Sequence, residues 1–118
     1  MKYLCLVYRE EKIVDAMSKD EFDAFVAQHR AYDAVLRESG HGILSEGLQP
    51  VQTATTVRVR SGKVHTTDGP FAETKEQLGG FFLIEAKDID EACEVASRFP
   101  PARVGIIEVR PVRELTHS

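Results

Sequence analysis

Asp68, Glu73 and Lys75 crowd one short stretch of this 118-residue chain, Asp68-Gly69-Pro70-Phe71-Ala72-Glu73-Thr74-Lys75-Glu76-Gln77-Leu78-Gly79-Gly80-Phe81-Phe82. Two carboxylates projecting into one pocket can divide general acid and general base work, and a nearby ammonium can hold them ionised or bind an anionic ligand. Asp68 has a second role open to it. Ahead of Gly69-Pro70 its side chain can accept backbone N–H groups two or three residues on, while Gly69 takes a conformation that other residues resist and Pro70 fixes the turn. On that reading Phe71 drops back into the core and Glu76 and Gln77 are solvated. Gly79-Gly80 suits a bulge or a close backbone approach at a strand entrance.

His29 is the other candidate for proton chemistry. It lies three or four residues from Phe25, Val26, Tyr32 and Asp33, so a helix sets it on or beside an apolar face turned to the sheet. There it is either satisfied by a neighbour or free to move a proton. Arg110, before Pro111, either pairs with an acid such as Glu108 or clamps a ligand carboxylate. His41, His65 and His117 fall in a loop, a hairpin and a tail, with no two histidines at metal-ligand spacing, so neither a metal nor a cofactor is expected. Cys5 and Cys93, the two cysteines, sit in an apolar strand and on an apolar helix face, where a free thiol packs as a small hydrophobe.

These side chains need a frame. Tyr3 to Tyr8 reads as a strand apolar on both faces, with Tyr3, Cys5 and Val7 one way and Leu4, Leu6 and Tyr8 the other. Ser18 with Glu21 forms a capping box for a helix carrying Phe22, Phe25, Val26, His29, Tyr32, Val35 and Leu36 at three-to-four spacing, ended by Gly40. Gly42 to Leu48 is a second strand closed by Pro50. Thr55 to Arg60 alternates, Val57 and Val59 inward, and Ser61-Gly62 turns it into Val64 to Thr67. Gly80 to Ala86 is a strongly apolar strand. Asp88 with Glu91 caps a helix bearing Ile89, Ala92, Cys93, Ala96 and Phe99, stopped by Pro100-Pro101, and Val104 to Val109 is the last strand.

Two strand-helix-strand halves with a hairpin between them describe a ferredoxin-like α+β fold in a single domain spanning residues 1–118. Two helices cover one face of such a sheet, yet its central strands are apolar on both. A second copy of the chain is the natural cover for the other face, making a homodimer with a small-molecule pocket between the sheets. The composition, 42% hydrophobic and 29% charged with a net charge of -4, is that of a globular protein whose basic residues are scattered. Direct nucleic-acid binding is therefore not expected. No apolar run is long enough to span a bilayer and charge arrives at Arg9, too soon for a signal peptide, so no membrane association and a cytoplasmic location are expected.

Thr67-Asp68-Gly69-Pro70-Phe71-Ala72-Glu73-Thr74-Lys75-Glu76 followed by Gly79-Gly80-Phe81 resembles the signature of the DGPF-type branch of the YCII-related proteins. Glu46-Gly47-Leu48-Gln49-Pro50, Ala54-Thr55-Thr56-Val57-Arg58 and Glu108-Val109-Arg110-Pro111-Val112 are similar to that branch as well. The resemblance implies a dimeric α+β barrel of ferredoxin-like subunits. It also implies, by analogy with a histidine and aspartate proposed as a catalytic pair in the broader group, that His29 and Asp68 act as acid and base. Glu73, Lys75 and Arg110 then position a ligand in cofactor-independent lyase or isomerase chemistry. The resemblance equally admits a ligand-binding or accessory protein without turnover, linked to an extracytoplasmic-function sigma factor.

Overall fold

The structure, a computed structural model, describes residues 1–99 and 105–114. Pro101, Val104 and His117 lie outside them, as does Pro100. Among the described residues six strands and three helices follow one another as β1 (Lys2–Arg9), α1 (Glu11–Asp15), α2 (Lys19–Glu38), β2 (Gly42–Gly47), β3 (Thr55–Arg60), β4 (Lys63–Asp68), β5 (Gln77–Glu85), α3 (Ile89–Ser97) and β6 (Gly105–Pro111). A 3-10 turn at Val51–Thr53 joins β2 to β3.

Four strands form an antiparallel sheet in the order β2-β5-β1-β6. Each strand-helix-strand half leaves room between its two strands for one strand of the other half, β5 between β1 and β2 and β1 between β5 and β6, as in a ferredoxin-like α+β fold. The register puts Cys5 between Phe82 and Val109, and Leu4 between Leu83 and Arg110. Strand alternation then separates the two faces.

One face is covered by α2 and α3. Tyr3, Cys5, Val7, Phe82 and Ile84 meet Leu36 of α2, Ala92, Val95 and Ala96 of α3, and Phe99 in a single buried cluster. Burying the valine, leucine, isoleucine and phenylalanine side chains among them contributes about 1.5–3 kcal/mol each. Capping holds both helices in place: Ser18 Oγ accepts from the Glu21 N–H while the Glu21 carboxylate accepts from the Ser18 N–H. Asp88 accepts from the Glu91 N–H. The Tyr32 hydroxyl of α2 donates to the Val95 carbonyl of α3, tying the helices together.

Among the described residues the other face has no such cover. Leu4, Leu6, Tyr8, Phe81 and Leu83 remain half-buried, and Leu44 and Ile106 are 48% and 54% exposed. Strands β3 and β4 form a separate two-stranded sheet with a tight turn at Ser61 and Gly62, both at positive φ. Val57 and Val59 do share a face, with Val64 opposite Val59. They are not inward, however: all three are more than half exposed, because the hairpin stands off the four-stranded sheet instead of folding over it. The Cα radius of gyration is 16.4 Å, against about 13–14 Å for a compact chain of this length.

Two further local expectations are corrected. Phe71 does not return to the core but is 81% exposed. Cys93 faces solvent while Cys5 is buried, since the stripe of α3 that packs on the sheet runs through Ala92, Val95 and Ala96. Helix α1 carries no sequence signal, because its N-cap is Glu10, which makes no side-chain cap.

Candidate functional site

Helix α2 and the edge of the sheet enclose a cleft of about 300 Å³. His29 stands in it beside Phe22, Phe25 and Val26 from α2, Val7 and Arg9 from β1, Gly79 and Gly80 from β5, and Phe99. The imidazole is held on three sides. Its Nδ1 lies 2.6 Å from the Phe25 carbonyl oxygen, and its ring packs edge-on to Phe25 at 4.3 Å and to Phe99 at 5.3 Å between centroids.

That geometry determines the tautomer. A carbonyl oxygen only accepts, so Nδ1 carries the proton and donates it, leaving Nε2 with a lone pair in the neutral ring. Among the described residues Nε2 has no hydrogen-bond partner. Burial pulls the His29 pKa below the usual histidine value, the bond to Phe25 opposes that shift, and the positive charge of Arg9 adds to it. The imidazole is thus an oriented neutral base at pH 7.

Arg9 reaches the cleft through a local irregularity. Val7 pairs with Gly80 and Tyr8 with Leu78, so Gly79 is the extra residue of a β-bulge. The Arg9 guanidinium lies over this residue: a Cβ on Gly79 would stand 2.7 Å from Arg9 Cζ. Its Nη2 donates to the Gly79 carbonyl at 3.4 Å, and Cζ sits 5.3 Å from the Phe25 ring centroid. The second glycine has a different duty. A Cβ on Gly80 would meet the Glu46 carbonyl at 2.9 Å, so the close pairing of β5 with β2 requires its absence.

The other sequence-derived candidates do not share the cleft with His29. Asp68 ends β4 and is exposed; among the described residues its carboxylate accepts no hydrogen bond. The turn after it is made by Gly69, whose φ is +98°, whose N–H donates to the Ala54 carbonyl at 2.7 Å, and whose carbonyl accepts from Thr56 Oγ1 at 2.8 Å. Glu73 borders a second, wider hollow together with Tyr8, Leu78, Pro70 and Phe71. Lys75 points elsewhere, with Nζ 3.8 Å from Glu10 Oε1. Arg110 lies opposite Leu4 on the helix-free face of the sheet. Arg9 was the residue to add. The alternation Tyr3, Cys5, Val7, Arg9 already sets it on the helix-covered face, the face His29 looks onto.

Among the described residues no group of three or more His, Cys, Asp or Glu could hold a metal ion, and no helix is long and apolar enough to cross a membrane. His41 is engaged structurally, joining Ser39 Oγ at 2.8 Å and Glu91 Oε1 at 3.3 Å.

The profile of the YCII-related domain matches residues 1–116. An uncharacterised protein of Rhizobium meliloti (strain 1021) is 38% identical over 114 residues, covering 95% of this chain and 92% of its own length.

Proposed function

Because the chain belongs to the YCII-related family, we propose that it is a homodimer of the DGPF-type branch, a dimeric α+β barrel, which carries out cofactor-independent acid–base chemistry on a small molecule bound beside His29. The observation that carries this reading is the fixed tautomer: Nδ1 is committed to the Phe25 carbonyl at 2.6 Å, and Nε2 is bare in a half-buried cleft. A base of this kind accepts a proton from a carbon or oxygen acid without first releasing one of its own. Lyase and isomerase reactions that begin with proton abstraction need little more than such a base and a group to hold the resulting anion.

What one chain leaves uncovered supports the dimer. Contiguous apolar sheet of this extent is rare on a monomer, and a two-stranded hairpin is marginal on its own in water. A second copy supplies cover for both. Asp68, Glu73 and Arg110 then take their place at the rim of the barrel, where a partner's residues can meet them.

The proton-transfer reading is tested by incubating the protein in D2O with a panel of small carbon acids, among them pyruvate, acetoacetate and 2-oxoglutarate, and following loss of C–H signals by proton NMR. Exchange that depends on the protein and disappears in a folded His29→Gln variant is expected. Binding of panel members with no exchange in any of them would instead describe a receptor without turnover and would end the catalytic reading.

A further inference from the structure

Two cations line the cleft, Arg9 and Arg30; Arg30 is exposed, whereas Arg9 is half-buried and its surroundings call for an anion. Glu11 is the acid whose charge acts on Arg9, and the carboxylates near it are otherwise engaged or directed elsewhere. The Glu11 carboxylate accepts from the Val51 N–H at 2.8 Å, Glu10 pairs with Lys75 at 3.8 Å, and Asp33 pairs with Arg37 at 3.4 Å. Glu46 opposes Phe81 in register, so alternation directs its side chain to the helix-free face. Among the described residues no carboxylate lies within 4.0 Å of the Arg9 guanidinium.

A guanidinium offers five N–H donors, and here a single long bond of 3.4 Å to the Gly79 carbonyl uses one of them. The group is nonetheless half-buried and held in position, stacked on Phe25 and seated in the space the Gly79 bulge leaves open. A partly desolvated, pre-positioned fork of donors matches a carboxylate in two parallel bonds. The walls around it are apolar and aromatic, from Phe22, Phe25, Val26 and Phe99. The volume, about 300 Å³, sits at the small end of ligand cavities, room for one ring or a short chain.

From this juxtaposition we infer that the ligand of the His29 cleft is a small organic carboxylate, its anionic group held by Arg9 and its flat apolar body packed against Phe22 and Phe25. The inference rests on the proposal that this cleft is the ligand site and adds the class of molecule. It also gives Arg9 a role in the chemistry: a carboxylate clamped there brings the carbon next to it toward Nε2 of His29, and the same cation stabilises the charge that proton removal creates.

Benzoate and its uncharged isostere benzamide separate charge recognition from shape. Titrated into the full-length protein and followed by the ring resonances of His29 and the Nε–H resonance of Arg9, benzoate is expected to bind about tenfold more tightly than benzamide. In Arg9→Gln that preference vanishes, in Arg9→Lys part of it survives, and in His29→Gln it is kept. Equal binding of the two probes to the unmodified protein, or a preference that persists in Arg9→Gln, overturns the inference; should Arg9→Gln fail to fold, the wild-type ratio and Arg9→Lys decide the matter. If neither probe perturbs these resonances at millimolar concentration, the cleft is not a ligand site and both proposals fall. Arg9-dependent benzoate binding with no exchange in the D2O panel removes the catalytic reading alone.

Discussion

Gly79→Ala adds one methyl group where Arg9 crosses the bulge, and its consequences can be worked out atom by atom. An ideal Cβ would stand 2.7 Å from Arg9 Cζ and 2.9 Å from both Nε and Nη2, closer than such atoms approach, so the guanidinium must leave. It is the far end of a flexible side chain, and leaving costs only what it gives up: the 3.4 Å bond to the Gly79 carbonyl and the 5.3 Å contact over Phe25. Together these amount to about 1–2 kcal/mol. Alanine in turn restricts the unfolded chain, which stabilises the native state by about 0.4–1 kcal/mol. The net loss of stability should therefore stay below about 1.6 kcal/mol. Anion binding behaves differently, because the cation has moved out of the cleft: benzoate affinity should fall about tenfold, or about 1.4 kcal/mol, while benzamide is unaffected. Urea denaturation reads the first quantity and an NMR titration the second. A destabilisation above about 3 kcal/mol, or a benzoate affinity unchanged from wild type, would refute this account of Arg9.

Further outcomes are open to direct measurement. Since His29 is held neutral in the folded chain with a lowered pKa, the unfolded state binds more protons as pH falls below about 6.5. The stability associated with the neutral ring is complete above that pH and lost as pH falls through the folded value. Denaturation midpoints between pH 7.5 and pH 5 (about the histidine range) should drop further for wild type than for His29→Gln, and parallel curves would contradict the assignment. Sedimentation should give about twice the 13.2 kDa chain mass, shifting toward monomer in Val57→Asp; a wild-type monomer at micromolar concentration would remove the argument for a barrel. A thiol reagent should modify Cys93 in the native protein within minutes and spare Cys5, which is buried with its thiol pushed up to about 12. Rapid reaction of both thiols would mean that the sheet core opens readily.

Much of the frame was legible because its signals are local. Ser18 with Glu21 and Asp88 with Glu91 mark helix starts through side chains that satisfy N–H groups three residues away, and both caps form as read. Alternation separated Tyr3, Cys5 and Val7 from Leu4, Leu6 and Tyr8, and the first set is the one that packs in the core. Gly79-Gly80 announced the bulge. What could not be read is how separated elements meet. Asp68, Glu73 and Lys75 are neighbours in sequence, but Asp68 ends a strand of the detached hairpin and the following segment runs exposed from Pro70 to Lys75, so adjacency along the chain did not become a shared cavity. Val57 and Val59 showed that the hairpin has an apolar face without showing what lies against it. Arg9 was legible in position, by alternation, but its charge reads as the end of a strand until α2 is seen to pack over it.

The hairpin that stands off the sheet has a consequence for how this protein behaves in quantity. In the proposed dimer a second copy covers this valine-faced arm, and its folding would then follow mass action and not sequence alone. Dilution should loosen β3 and β4 before the four-stranded sheet yields. Proteolytic nicking of the arm would then report how much of the protein is unassembled at a given concentration.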